Sequence, residues 1–207
     1  MPKSWKSAEI AEFIAAVAAK LKPEVHSILD LGAGDGDLAP MLMGRFPGAR
    51  FHGIDHDPTR LGIVEGKLAF YVGRVDLQLG DILETPLRNA YDLVASAAAL
   101  RHFGAPAKHK LYLRVHQTLA EGGLFIFGDR VRISSPRASQ AVRELRAEEM
   151  QALAGSSKNQ LPTAERRPDS PNRETISDTV YALRRAAFQE VECLYCYGDR
   201  AVFAGFK

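Results

Sequence analysis

The chain has 207 residues, 46% of them hydrophobic and 25% charged, and its 27 basic and 25 acidic side chains leave a formal charge of +2. That length suits one well-buried domain, the near balance of charge offers nucleic acid no electrostatic footprint, and no apolar run approaches the roughly 20 residues of a membrane-spanning helix. The first residues, Met1-Pro2-Lys3-Ser4-Trp5-Lys6, lack the apolar core of a secretory signal, so a soluble, cytoplasmic protein is expected.

Ile10, Phe13, Ile14, Val17 and Leu21 recur at helical spacing between residues 7 and 22, with Ser7 placed as a cap and Pro23 just beyond the end. This opening amphipathic helix packs on a sheet or covers a site. Residues 28–31 read as a buried strand, after which Gly32, Gly34 and Gly36 release the backbone into a tight turn and Leu38, Met41 and Leu42 resume with helical spacing. A strand-loop-helix passage of this kind presents bare main chain and outward-pointing amides to a ligand. Asp30, Asp35 and Asp37 crowd the same turn, so a pyrophosphate would be repelled and a cationic or zwitterionic ligand is favoured. The glycine spacing is G-x-G-x-G, with Asp37 where the dinucleotide fingerprint places its third glycine.

Residues 50–55 form a second predicted strand ending in Asp55, roughly twenty residues beyond the glycine loop, where a strand-helix-strand unit delivers a carboxylate to a ribose diol. Asp57-Pro58 opens the next helix, which carries Leu61, Val64 and Leu68. A third strand over 75–79 runs into Gly80-Asp81-Ile82, and a fourth over 91–96 exits through residues 97–103. The following helix, 106–119, stops at Glu121-Gly122-Gly123 before a fully apolar strand over 124–127. Residues 134–174 break the rhythm. A helix is expected over 141–153, and the Ser-, Pro-, Asn- and Arg-rich stretch that follows reads as a long loop, a variable insertion serving as a lid. A helix over 175–187 and an antiparallel hairpin of 191–197 with 200–206, joined by Gly198-Asp199, close the chain. Cys193 and Cys196 fall in that hairpin, where side chains three apart face opposite ways, so no functional dithiol is expected.

The runs D-L-G-A-G-D-G from Asp30, H-G-I-D from His52, L-G-D-I from Leu79, Y-D-L-V-A-S from Tyr91 and L-A-E-G-G-L-F-I-F-G-D from Leu119 follow one another in a family's order. Together they resemble the motifs of class I S-adenosylmethionine-dependent methyltransferases. The resemblance implies one α/β domain over 1–207, a doubly wound seven-stranded sheet of five parallel strands plus a C-terminal antiparallel hairpin, with helices on both faces. It implies S-adenosylmethionine as cofactor and S-adenosylhomocysteine as product. By this likeness Asp30, Gly32, Ala33, Gly34 and Gly36 hold the amino acid part, Asp81 and Ile82 meet the adenine, Asp55 and its neighbour His56 serve the ribose, and Ser96 and Ala97 at the exit of strand four complete the cofactor shell.

His102, in the loop leaving strand four, is the candidate general base or acceptor-positioning group, since its ordinary pKa suits proton transfer near neutrality. Asp129 at the end of strand five is read either as a second such group or as a cap for the segment after it. No metal site is expected: His52 and His56 lack a third ligand, and His109 and His116 lie two turns apart on a helix. The expected acceptor is a small molecule, with no support for nucleic acid or a membrane and no sign of an oligomeric state. Two other readings remain, a non-catalytic S-adenosylmethionine-binding regulator and an NAD-dependent oxidoreductase.

Overall fold

A computed structural model describes residues 7–88, 90–154 and 173–207. Its strands are β1 (Ser27–Leu31), β2 (Arg50–Asp55), β3 (Val75–Leu79), β4 (Tyr91–Ser96), β5 (Leu119–Arg130), β6 (Gln189–Tyr197) and β7 (Arg200–Phe206). The helices are α1 (Ser7–Leu21), α2 (Leu38–Arg45), α3 (Pro58–Lys67), α4 (Ala105–Thr118), α5 (Pro136–Ala154) and α6 (Ile176–Arg185), with a 3₁₀ turn at Ala99–His102. The seven strands form one sheet in the order β3-β2-β1-β4-β5-β7-β6. The first five are parallel, and β7 runs antiparallel to both β5 and β6. Among the described residues no helix is long and apolar enough to cross a membrane.

Side-chain alternation along each strand divides the core in two. Ile28, Phe51, Leu93 and Leu124 face the layer that holds Ile10, Ile14, Leu42 and Val64 of α1, α2 and α3. Leu29, Val94, Phe125 and Phe127 face the opposite layer, with Leu111, Tyr112 and Val115 of α4 and Leu183 of α6. Strands buried on both sides must be apolar at consecutive positions, which is why Ile28-Leu29 and Phe125-Ile126-Phe127 carry no polar residue. Rings reinforce the second layer: Phe125 stacks on Phe127 at 4.6 Å between centroids, and Phe127 stands 5.4 Å from Phe203 on β7.

Three expectations are corrected. β5 begins at Leu119, five residues before the apolar run, because Leu119 already pairs with Tyr91 before a register shift leads to the Leu93–Leu124 pair. The glycines taken as a stop are inside the strand, where Gly122 takes a positive φ of 67° and its N–H donates to the Lys207 carbonyl at 3.1 Å. Next, α5 extends the expected 141–153 helix back to Pro136, a residue suited to a first turn, with the Ser135 hydroxyl accepting from the Ala138 amide at 3.2 Å. Of the insertion expected as a lid over 134–174, residues 155–172 lie outside the described residues. Its far end does not: Arg132 N–H donates to the Glu174 carbonyl at 2.7 Å, and His109 Nε2 donates to the buried Glu174 carboxylate at 2.6 Å.

Third, Asp129 caps nothing downstream of its own junction. Both it and Lys108 are 2% exposed, and the Lys108 ammonium donates to one carboxylate oxygen while the other accepts from the Arg130 amide at 2.7 Å. Burial raises the Asp129 pKa and the Lys108 charge opposes that rise. Lys108→Ala should therefore destabilise the protein by about 3 to 5 kcal/mol, because it strands a buried carboxylate. The double change Lys108→Met with Asp129→Leu should recover most of that loss, as urea denaturation of the two variants would show.

Candidate active site

The carboxyl ends of β1, β2 and β4 open onto a cavity of about 640 Å³. Parallel pairing sets Asp30 beside Gly53 and Ala95, so the chain leaving β1 emerges between the exits of β2 and β4. Gly32 turns there with φ of 72°, and a Cβ on it would sit 2.2 Å from the Ala99 Cβ. No side chain fits at that point, so ligand and main chain can meet directly. Gly34 also has positive φ, and its N–H donates to Asp55 Oδ2 at 2.8 Å. Asp55 Oδ1 accepts from the Asp57 amide at 3.0 Å, joining the end of β2 to the start of α3. The Asp57 carboxylate then caps α3 by accepting from the Thr59 amide at 2.9 Å. An ionised carboxylate offers about four acceptor positions, and these two bonds fill two of them.

Asp30 is the unusual group. It is 1% exposed, lines the cavity, and neither of its carboxylate oxygens has a hydrogen-bond partner among the described residues. Burial first, and the neighbouring Asp55 charge second, push its pKa up from 3.8 to about 7. A buried polar group without a partner is costly, and one aimed into a cavity is offset only when a donor arrives there. A ligand ammonium is such a donor.

The remaining predicted residues separate into those that line the cavity and those that support it. Ala33, His56, Asp81, Ile82, Ala97 and His102 join Asp30, Gly32, Gly34 and Asp55 in the lining. His56 is mostly solvent-exposed, with Nδ1 3.5 Å from Asp55 Oδ1. Asp81 uses Oδ1 to accept from the Leu83 amide at 2.8 Å, which shapes the turn after β3. Gly36 and Ser96 are not in the lining. A Cβ on Gly36 would press within 3.1 Å of Val64, so that glycine lets α3 approach, and the buried Ser96 hydroxyl donates to the Leu31 carbonyl at 2.7 Å, clamping β4 to β1.

Residues 28–123 match a family model described as a methyltransferase domain. That match spans 96 of the 207 residues, a little under half of the chain. Carboxy-S-adenosyl-L-methionine synthase of Campylobacter concisus is 24% identical over 196 residues, which are 93% of this chain and 82% of that protein. Demethylmenaquinone methyltransferase of Thermus thermophilus is 35% identical over 112 residues, 54% of this chain and 50% of the other. Among solved structures, a TehB-like S-adenosylmethionine-dependent methyltransferase from Corynebacterium glutamicum superposes with a TM-score of 0.62 at 15% identity, covering 95% of this chain and 87% of that one. That likeness speaks for the fold. Against other structures of the same fold the chain spans little more than half the partner, 56% for one from Nostoc punctiforme.

Several parts of the cavity escaped the sequence reading. Arg101 and Phe103 line it from the 3₁₀ turn and its exit, and Arg60 lines it from α3. Arg114 of α4 reaches back to fix the turn after Asp81, donating to the carbonyls of Ile82, Leu83 and Thr85. No local pattern marks such residues, since an arginine on a helix looks alike whether it faces water or a loop.

The Asp30 carboxyl should leave a thermodynamic signature. Its folded pKa of about 7 lies above the unfolded 3.8, so the native state holds a proton that the unfolded chain releases, and stability falls as pH rises through that window. Asp30→Asn removes the charge and keeps the shape. Its stability relative to the parent should grow between pH 5 and pH 8, by at most about 3 kcal/mol. Melting of the ligand-free proteins at the two pH values checks this, and a difference that does not change with pH would contradict the assignment.

Proposed function

We propose that this domain transfers a methyl group from S-adenosylmethionine to a small-molecule acceptor seated against residues 97–103. The observation that carries the reading is the buried Asp30 carboxylate without a partner, set beside a glycine loop too tight for side chains. A zwitterionic amino acid group matches both, with its ammonium toward Asp30 and its carboxylate toward loop amides. In the same proposal the open positions on Asp55 accept from the ribose hydroxyls, while Asp81 and Ile82 hold the adenine. When bound, the cofactor supplies an electrophilic methyl on a sulfonium. The protein's part is then alignment and exclusion of water, with a base needed only where the acceptor must lose a proton. In this proposal His102 is the candidate base, its Nε2 taking the proton once the bond it accepts from Arg101 opens.

The carboxy-S-adenosyl-L-methionine synthase likeness runs over 93% of the chain, and this favours a second reading in which the cofactor's methyl carbon loses a proton and takes up the CO2 released by a decarboxylating co-substrate. Mass spectrometry of a reaction with candidate acceptors separates the two. Methyl transfer yields S-adenosylhomocysteine and a methylated acceptor; the second reading yields a carboxylated sulfonium.

Calorimetry should show S-adenosylhomocysteine binding at micromolar affinity or tighter, about 7 to 9 kcal/mol. Asp55→Ala should weaken it by about 1.5 to 3 kcal/mol, through lost acceptors and a loosened Gly34. His102→Ala should slow turnover about 100-fold at unchanged cofactor affinity if the histidine acts as a base. A parent protein that binds NAD tightly and S-adenosylhomocysteine not at all would overturn the whole reading.

A further inference from the structure

The cavity's charges are arranged unevenly. Asp30, Asp55 and Asp81 lie at the carboxyl ends of β1, β2 and β3, while Arg101 and His102 sit on the 3₁₀ turn that leaves β4. The other lining arginine, Arg60, has carboxylates at hand, 3.6 Å away on Asp35 and 3.7 Å away on Asp57. Arg130, on β5, has Asp199 at 3.7 Å. Arg101 has none: its Nε–H donates to His102 Nε2 at 3.2 Å, and among the described residues no acidic side chain is within ion-pairing distance of its guanidinium. Asp129, whose charge attracts it, is already engaged by Lys108. Partial burial, then Arg130 and Arg60, hold its pKa below the ordinary value, which is what a cation feels when its surroundings lack an anion.

Nε is thus occupied, and the two terminal nitrogens of Arg101 remain as a planar fork beside His102. We propose that the acceptor carries a carboxylate and that Arg101 holds it there, which makes this residue the specificity determinant of the methyl-transfer site. The inference rests on the methyltransferase reading above. It names the acceptor's chemistry. A single guanidinium offers two parallel N–H donors, matched to the two oxygens of a carboxylate. A phosphate monoester would bring close to a second negative charge into a cavity that Asp30, Asp55, Asp57 and Asp81 also line, so repulsion disfavours it. The bond to His102 adds a second role. By donating to Nε2, Arg101 selects the tautomer with the proton on Nδ1 and fixes the ring at the carboxylate's side.

The full chain, saturated with S-adenosylhomocysteine, is titrated calorimetrically with benzoate, malonate, benzamide and glycerol 3-phosphate. Parent, Arg101→Gln and Arg101→Lys proteins are compared. Benzoate or malonate should bind the parent, benzamide should not, and Arg101→Gln should weaken the carboxylate about tenfold or more at S-adenosylhomocysteine affinity within about twofold of the parent. Arg101→Lys should fall between, since it keeps the charge and loses the fork. The side chain is solvent-exposed, so both variants should fold. Carboxylates that bind neither protein, that bind Arg101→Gln as well as the parent, or that bind no better than glycerol 3-phosphate would overturn the proposal. In each of those cases S-adenosylhomocysteine still binds. Its failure to bind the parent would overturn the methyltransferase reading, and this inference with it.

Discussion

The Asp55 carboxylate is the joint on which the cavity turns. It is 3% exposed and accepts one hydrogen bond from Gly34 of the loop after β1 and another from Asp57 at the head of α3. Through it the ends of two neighbouring strands and the first turn of a helix share one anchor. The loop is further held by main-chain bonds from Gly32 and Ala33 N–H to the Ile54 carbonyl, at 2.8 and 3.0 Å, and by Lys67, whose ammonium donates to the Asp35 carbonyl at 2.6 Å. An acid at this point is therefore structural, since one of its oxygens supports the loop and the other the head of α3.

The same acid sets the electrostatics of its neighbour. Asp30 sits one strand away with no partner among the described residues, and the Asp55 charge adds to the burial that keeps it protonated up to about pH 7. Asp129, equally buried, is treated otherwise: Lys108 meets it from α4. Two buried carboxylates on one sheet thus have opposite fates. One is satisfied within the chain and contributes to the packing of α4 against β5; the other keeps an unmet demand for a donor, which a protein retains where a ligand supplies it.

Around these acids the sheet distributes its close approaches. Gly32 passes Ala99, Gly36 passes Val64, and Gly128 of β5 leaves room for the Ala97 carbonyl, which a Cβ would meet at 2.3 Å. The last of these brings the exit of β4, and hence Arg101 and His102, alongside the end of β5. Glu174, just ahead of α6, is tied to α4 through His109 and to the chain after β5 through Arg132.

Much of this was legible in the residues because it is local. The alternation of strand and helix, the glycine turn, the acid ending β2 and the closing hairpin each follow from patterns within a dozen positions, and steric and hydrogen-bonding rules act at that range. The parallel order also followed, since apolar runs such as Phe125-Ile126-Phe127 demand cover on both faces. Other features required the tertiary structure. The start of β5 at Leu119 depends on Tyr91 beside it, and the role of Ser96 depends on the Leu31 carbonyl 65 positions away. Whether Asp30 finds a partner, whether Asp129 meets Lys108, and whether Arg101 is left without a carboxylate are questions of what lies within a few ångströms in space. Composition and spacing determine which groups the chain possesses and which elements bear them. Folding determines which charges are paired, because pairing and desolvation arise from neighbours brought together by the sheet rather than by the sequence.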